Sequence, residues 1–298
     1  MATADFDLSR RRLILAGLSL PCAGFSRATK TRAATWSPSQ FSRIDPVALV
    51  PTFEDTFELF DRAKGANDRS ARWMTNFANG PEDGIDSRTL ANNDEQQIYV
   101  DPDFGGVGLD PFRITPRGLL ISADRTPAWA RGRLWDKPYY SGMISTRRSF
   151  SQLYGYFEIE AQLPRGQGLW PAFWMLPASG AWPPELDVME ALGSDPWGSY
   201  TTVHSRFLNL KGRRIRASAD LSTSPHRFGV SWTSKELVWY RDRREVSRLR
   251  TPDDLHQPMY MLANLAVGGV WAKSPDRSTK FPAGLEIRAI RAWRLPGV

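Results

Sequence analysis

The chain has 298 residues, including 22 prolines and 23 glycines, and a formal net charge of +7 at pH 7. Six basic and two acidic side chains in the first 34 residues account for +4 of this charge and leave +3 for the rest, an excess too small to indicate nucleic-acid binding. The one cysteine, Cys22, lies within those 34 residues, which excludes a disulfide or a cysteine nucleophile in the rest of the chain and disfavours a thiolate metal site there. The chain has three histidines, so a multi-histidine metal site is also disfavoured.

The N-terminus has the pattern of an export signal. The basic run Arg10-Arg11-Arg12 opens an apolar stretch of about 13 residues that ends near Phe25, too short to cross a bilayer that needs about 20 helical residues. An arginine pair followed by moderate hydrophobicity resembles a bacterial twin-arginine signal, with a basic disordered tail as the alternative. We therefore expect residues 1–34 to be a signal, and the protein to be periplasmic or extracellular without a stable membrane anchor.

Residues 35–50 have the composition of a linker or a wrapping arm, and from residue 51 the hydrophobic pattern mostly has a period of two. Only residues 52–63 show a weak helical period. The alternation of a half-buried strand is clearest over residues 156–163. Similar runs occur at 141–145, 200–206, 226–232, 237–240, 259–265 and 285–293. Prolines and glycines separate these runs, which predicts a two-sheet sandwich or a barrel.

Twelve tryptophans are the other unusual feature of the composition. Three of them lie inside strand-like runs and are predicted to pack in the core: Trp174, Trp232 and Trp239. Three others have Pro or Gly neighbours that favour an exposed ring: Trp170, Trp182 and Trp271. A flat ring in a cleft stacks on a sugar much as it stacks on a base. The small charge of the mature chain favours the sugar.

Three acids in the stretch E-L-D-V-M-E need an explanation, because unpaired carboxylates are costly to bury. On a helix, Glu185 and Glu190 would lie about 140° apart and share no face. On a regular strand, Glu185 and Asp187 would point one way and Glu190 the other. A β-bulge within Val188-Met189 would bring all three acids onto one face, with Leu186 and one of these two bulge residues packed inward.

Such a line of acids suits the cleavage of a glycosidic bond. Retaining hydrolysis uses two carboxyl groups about 5–5.5 Å apart, one a nucleophile and one a proton donor. A third acid between them helps to separate their two pKa values. Four strand steps put the α-carbons of Glu185 and Glu190 about 13 Å apart. The side chains therefore converge only if the sheet curves inward.

The same stretch matches the E-x-D-x-x-E signature of glycoside hydrolase family 16 in its bulged form. Four flanking segments resemble family segments in the same order: T-F-E-D-T-F (52–57), G-L-W-P-A-F-W-M-L (168–176), Y-T-T-V-H (200–204) and N-L-A-V-G-G (264–269). The resemblance implies an all-β fold over residues 51–298. The family fold is a concanavalin A-like β-jelly-roll sandwich of two curved antiparallel sheets with an open substrate cleft.

The resemblance also implies roles for individual residues. By it, Glu185 is the nucleophile, Glu190 the acid/base and Asp187 the assisting acid of a retaining, endo-acting β-glycanase. The resemblance places His204 near the acid/base. The implied substrate contacts are the sugar platforms Trp170, Trp182 and Trp271, and Asn264 in the cleft. We expect no cofactor.

The chain departs from the family pattern at two positions. Arg288 stands where many members have an aspartate that helps to hold a structural calcium, so we expect no calcium site. In the hairpin around residues 239–243, Arg243 stands where Asp-Gly is common. A tight turn with positive φ would be strained there, which predicts a longer or different loop.

The predicted function is therefore an exported endo-β-glycanase that hydrolyses β-1,3/β-1,4-linked glucan-like polysaccharide as a monomer. The segment 139–204 resembles bacterial enzymes that trim exopolysaccharides, which makes an exopolysaccharide the expected substrate. A non-catalytic carbohydrate-binding protein on the same scaffold and a transglycosylase remain the alternatives. The presence of all three acids argues against the former, because a protein that only binds need not keep them.

Overall fold

The structure is a computed structural model that describes residues 42–297, except 66, 67, 69, 79, 82 and 209–211. The predicted export signal and residues 35–41 of the predicted linker lie outside this part. The described residues form sixteen strands: β1 (Val50–Asp55), β2 (Gln97–Tyr99), β3 (Phe112–Thr115), β4 (Gly118–Arg125), β5 (Tyr139–Ser141), β6 (Met143–Ser145), β7 (Gly155–Gln162), β8 (Leu169–Pro177), β9 (Glu185–Glu190), β10 (Gly198–His204), β11 (Arg213–Arg216), β12 (His226–Trp232), β13 (Glu236–Arg241), β14 (Arg244–Arg250), β15 (Met259–Val267) and β16 (Ala283–Arg294).

Helical structure is sparse in the described residues. The one α-helix there, α1, is a single turn over Gly269–Ala272. Short 3-10 helices occur at Pro46–Ala48, Ile85–Ser87, Ala91–Asn93, Phe104–Gly106, Arg131–Leu134 and Asp253–Leu255. Among the described helices, none has the length and apolar character of a membrane-spanning segment.

The strands form two sheets, as the alternation predicted. The larger has ten strands in the order β14-β13-β12-β7-β16-β4-β5-β2, with β1 beside β16 and β3 beside β4. The smaller has six strands in the order β11-β10-β9-β8-β15-β6. Pairing is antiparallel except between β2 and β5. The predicted all-β architecture of two sheets is therefore confirmed.

The main core lies between the two sheets because alternate side chains of each strand point inward. Inward residues of the six-stranded sheet include Phe173, Met175 and Met261, and those of the large sheet include Ile159 and Ile290. The opposite face of the six-stranded sheet carries a second apolar cluster of Phe77, Tyr99, Met143, Ala172, Trp174, Tyr260 and Leu262. This second face is the one that carries the acids of β9.

Two sequence predictions of secondary structure are wrong in detail. The weak helical period of residues 52–63 gives β1 followed by irregular chain, because β1 pairs with β16. The run 141–145 forms two strands, β5 and β6, which break at Gly142. A Cβ atom at Gly142 would lie 2.7 Å from the ring of Phe112, so the chain can pass there only without a side chain.

The described part of the predicted arm, residues 42–49, lies against the β13–β14 hairpin. The Ser42 hydroxyl donates to Glu245 Oε2 at 2.5 Å, and the Ile44 amide donates to the Arg243 carbonyl at 3.1 Å. Ile44 and Leu49 pack against a small apolar cluster on the outer face of the large sheet. Backbone and side-chain contacts therefore hold this part of the arm on the sheet.

The β13–β14 hairpin itself corrects an expectation. Arg241 pairs with Arg244, so the turn consists of Asp242 and Arg243 alone. Their φ angles are +50° and +61°. The predicted longer loop is therefore wrong, and the turn is the tight left-handed type that favours glycine.

Contacts with distant residues stabilise this strained turn. The Arg227 amide donates to Asp242 Oδ1 at 3.0 Å. The Arg243 guanidinium makes two hydrogen bonds of 3.1 Å to Glu158, whose buried carboxylate also accepts from the Tyr156 hydroxyl at 2.8 Å. A non-glycine residue in the left-handed conformation costs about 1–2 kcal/mol. The bidentate pair of Arg243 with a buried carboxylate offsets this cost.

Candidate active site

The acids lie on β9, at the centre of the six-stranded sheet between β8 and β10. Leu186, Val188 and Met189 belong to the main core, whereas Glu185, Asp187 and Glu190 point to the opposite face. The three acids therefore share one face, as the sequence predicted. Glu185 and Asp187 are almost fully buried, and Glu190 is half-buried.

A bulge in β9 produces this arrangement. Trp174 of β8 pairs with Asp187, but the preceding Phe173 pairs with Met189, so Val188 is the extra residue. The pairing of β9 with β10 shifts at the same place. The predicted bulge within Val188-Met189 is thus confirmed. One detail differs, because both of these residues, and not one, pack in the core.

Glu185 is held by a tryptophan and a histidine. The Trp182 indole N–H donates to Glu185 Oε2 at 2.7 Å, and His204 Nε2 lies 3.8 Å from Oε1. Antiparallel pairing places His204 directly opposite Glu185. The expectation that His204 sits near the acid/base is therefore wrong, since it lies at the Glu185 end of β9. The ring of Trp182 lies 6.2 Å from that of His204.

Glu190 lies at the other end of β9 and has its own donors. The Trp170 indole N–H donates to Oε1 at 3.2 Å, and the Thr202 hydroxyl lies 2.9 Å from Oε2. Tyr200 is its cross-strand neighbour on β10. Each glutamate thus receives an indole N–H, but Glu190 alone of the two is contacted by the Thr202 hydroxyl.

Asp187 lies between the two glutamates, and its environment disfavours ionisation. Burial raises the pKa of Asp187 well above its usual range, and the charges of Glu190 and Glu185 raise it further. His204, with Nε2 at 3.5 Å from Oδ2, acts in the opposite direction. A raised pKa favours the neutral form of Asp187, which lessens the repulsion among three adjacent carboxyl groups and can donate a hydrogen bond.

One set of side chains could in principle bind a cation. Glu185, Asp187 and His204 offer ligand atoms that lie within 4.8 Å of one another. Two carboxyl groups and an imidazole are also the groups used in acid–base and nucleophilic chemistry.

The predicted sugar platforms are all half-buried and border the acids. Trp170 and Trp271 meet edge to face at 5.0 Å between ring centroids, and Trp271 meets Tyr200 in the same way at 4.8 Å. These three rings form an aromatic group at the Glu190 end of the site. Trp182 lies at the Glu185 end, beside the ring of His204. Their contacts with sugar stay a prediction.

Asn264 of β15 is buried, like two of the three acids, and its amide is bound by neighbouring side chains. It accepts from the Trp174 indole N–H at 2.7 Å and donates to the Tyr99 hydroxyl at 2.9 Å, and it is buried. Its amide is thus engaged in the protein's own contacts, and its substrate contact stays a prediction. Trp174, Trp232 and Trp239 are buried as expected, and the Trp239 indole N–H donates to the backbone carbonyl of Asp187 at 3.0 Å.

Sequence reasoning missed Thr202 and Tyr200, although a signal for them existed. They precede His204 by two and four residues on a strand, so strand alternation puts all three on one face. The missing information was the register that sets Thr202 beside Glu190.

The chain resembles known enzymes over most of its length. The family model for glycosyl hydrolases family 16 matches residues 113–283. An endo-1,3-1,4-beta-glycanase of Rhizobium meliloti, EglC, is 38% identical over 281 residues, which cover 93% of this chain and 59% of EglC. A second such enzyme of that organism, ExsH, is 39% identical over 257 residues, which cover 85% of this chain and 53% of ExsH. The chain thus spans a little over half the length of these relatives.

A solved structure shows the same architecture. The laminarinase catalytic domain of Thermotoga maritima superimposes with a TM-score of 0.67 at 27% identity, over 83% of this chain and 98% of that domain. The bulged acids, the two-sheet fold and the family match agree with one another. The chain therefore belongs to family 16 of the glycosyl hydrolases.

Proposed function

We propose that the protein is an exported, endo-acting and retaining β-glycanase that hydrolyses glucan-like chains with β-1,3 and β-1,4 linkages. The observation that carries this proposal is the set of two glutamates on one face of β9, each bound by an indole N–H, with a buried Asp187 between them. The similarity to EglC and ExsH supports the endo action and the linkages. A bacterial exopolysaccharide is the proposed natural substrate.

The chemistry divides between the two glutamates. Glu185 attacks the anomeric carbon while Glu190 gives its proton to the glycosidic oxygen, whose bond to that carbon breaks. The bond electrons leave with the oxygen, and an α-glycosyl ester of Glu185 remains. Glu190, now ionised, takes a proton from water, which attacks the ester from the opposite face and restores the β configuration.

The proposed domain plan assigns residues 1–34 to a twin-arginine signal, 35–50 to an arm and 51–298 to the catalytic domain. Replacing Arg10-Arg11-Arg12 with lysines should trap the precursor in the cytoplasm, because the arginine pair is the recognised feature. Cell fractionation followed by immunoblotting measures this. Undiminished mature protein outside the cytoplasm would contradict a twin-arginine route.

Two other activities share this site chemistry or scaffold. A transglycosylase would pass the glycosyl group from Glu185 to a sugar, and a binding protein would hold the chain without cleaving it. Reducing-end release from a panel of soluble β-glucans and bacterial exopolysaccharides, with product sizes followed over time, separates the three. We expect short oligosaccharides and a rapid fall in viscosity. Longer products would indicate transfer, and binding without cleavage of any glycan would refute the enzyme.

Chemical rescue tests the two roles. Glu185→Ala opens space on the α face, so azide should displace an activated leaving group directly and give an α-glycosyl azide. Glu190→Ala still forms the ester from an activated substrate but lacks the base for its hydrolysis, so azide should give a β-glycosyl azide. Proton NMR of the products identifies the anomers. The same anomer from both variants would overturn the assignment.

A further inference from the structure

Glu190 must carry a proton when it acts as the acid, and its two oxygens meet partners of different kinds. An indole N–H can only donate a hydrogen bond, whereas a hydroxyl can donate or accept. Oε1 faces the Trp170 N–H at 3.2 Å and Oε2 faces the Thr202 hydroxyl at 2.9 Å. The two ends of this carboxyl group are therefore not equivalent.

We propose that Trp170 and Thr202 are positioning residues that place the transferable proton of Glu190 on Oε2 and keep Oε1 as the carbonyl oxygen. The proposal rests on the proposed function, in which Glu190 is the acid/base. The carbonyl oxygen of a protonated carboxyl is the better acceptor, so the Trp170 N–H selects it. The Thr202 hydroxyl accommodates both states, because it can accept from Oε2–H or donate to ionised Oε2.

The proton then follows one route through the cycle. In the first step the Oε2–H turns from the Thr202 hydroxyl to the bound glycosidic oxygen and its proton passes to that oxygen, and Thr202 turns its own hydroxyl to donate to the new carboxylate. In the second step Oε2 takes a proton from the attacking water, and the starting state returns. Trp170 donates to Oε1 throughout, so the carboxyl group does not have to rotate between the two half-reactions.

Other ionisable groups lie around this carboxyl, and their titration must be separated from its own. They are Asp187 and Glu185 on β9, Tyr200 directly across from Glu190 on β10, His204 further along β10, and the pair of Asp195 with Arg214 of β11, which acts on Tyr200. Arg214 binds Asp195 through two hydrogen bonds of 2.7 and 2.8 Å and lowers the pKa of that carboxyl, so this pair keeps its charges at working pH. Burial raises the pKa of Tyr200, which therefore titrates above the working range. Asp187, whose pKa responds to the charge of Glu190, is a neighbour whose titration could imitate that of Glu190.

The test measures kcat/KM against pH for Thr202→Val, which removes the hydroxyl but keeps the shape. A donor to the ionised carboxylate favours that form, so its loss should move the basic limb up by about one pH unit. The plateau rate on glucan should fall about tenfold, because the proton is less well placed. Thr202→Ser should restore both values. Thr201→Val, the same change on the opposite face of β10, is the matched control and should behave as wild type.

Two further measurements test whether Asp187 causes the shift and which oxygen of Glu190 carries the proton. In an Asp187→Asn background the shift caused by Thr202→Val should persist, since Asp187 can no longer titrate. The indole N–H resonance of Trp170, identified by its loss in Trp170→Phe, should move upfield only part of the way on the acidic side of the basic limb, because a neutral carbonyl oxygen is a weaker acceptor than a carboxylate oxygen but still accepts the bond. A move to the position of a free indole N–H on the acidic side would mean that the proton resides on Oε1, and would overturn the proposal.

The results also separate this inference from the proposed function. If azide does not rescue Glu190→Ala, Glu190 is not the acid/base and the proposed function fails. If azide does rescue it but Thr202→Val leaves the basic limb in place, or Thr202→Ser fails to restore it, the placement of the proton is wrong and the function stands.

Discussion

Replacing Trp182 with phenylalanine separates two roles that the sequence could not distinguish. Phenylalanine keeps a flat ring beside His204 but removes the indole N–H that lies 2.7 Å from Glu185 Oε2. Glu185 is only 3% exposed, so water replaces this donor poorly. The variant therefore tests the hydrogen bond and leaves the ring in place.

The size of the effect follows from the type of hydrogen bond. A bond to a charged group contributes about 1.5–3 kcal/mol, and one pH unit corresponds to about 1.36 kcal/mol. Loss of the N–H should therefore move the acidic limb of the kcat/KM profile, where the nucleophile becomes ionised, up by about 1–2 pH units. Trp182→Ala should lose about 1–3 kcal/mol more if a sugar stacks on the ring.

The assay is kcat/KM on a soluble β-glucan between about pH 4 and 8, with circular dichroism and Tm to show that each variant folds. Trp129→Phe is the control, since Trp129 is 65% exposed in the loop before the 3-10 helix Arg131–Leu134. An acidic limb that does not move in Trp182→Phe would refute the role of the hydrogen bond. Unfolding of Trp182→Ala would show instead that the ring is structural.

Three further predictions concern stability, each measured by thermal unfolding. Burial raises the pKa of Asp187 above its usual 3.8, so the folded state loses stability as pH rises above 3.8. The Tm of Asp187→Asn relative to wild type should therefore increase from low to neutral pH. A Tm difference that is the same at all pH values would contradict this. Glu158→Gln should lower the free energy of unfolding by about 3 kcal/mol, because it breaks a buried ion pair. Arg243→Gly should lower it by about 1 kcal/mol less than Arg243→Ala does, because glycine accepts the positive φ. If Arg243→Gly is instead the less stable variant, the turn is not strained. By the family resemblance, Arg288 stands where many members have an aspartate that helps to hold calcium. We therefore expect EDTA to leave Tm unchanged, and a fall would reveal a bound ion.

The local pattern of the sequence was sufficient for the acids and for many of the strands, although β2, β3, β4, β11 and β14 were not predicted. Alternation along β7, β12 and β15 marks which residues face the core, because successive side chains of a strand point to opposite sides. The same rule, applied to E-L-D-V-M-E, required a bulge at Val188-Met189 to bring the acids together, and the strand register contains it. These features depend on neighbouring residues only.

Tertiary structure decided which partners the acids receive. Because β10 runs antiparallel to β9 in one particular register, His204 lies opposite Glu185, and Thr202 lies opposite Asp187 with its hydroxyl bound to Glu190. The local sequence predicted a longer or different loop at Asp242-Arg243. The tight turn forms nonetheless, because Glu158, 85 residues earlier in the chain, binds Arg243. Local propensity determines the alternation along a strand, whereas register and ion pairing depend on contacts between segments that are distant in sequence and meet only in the folded protein.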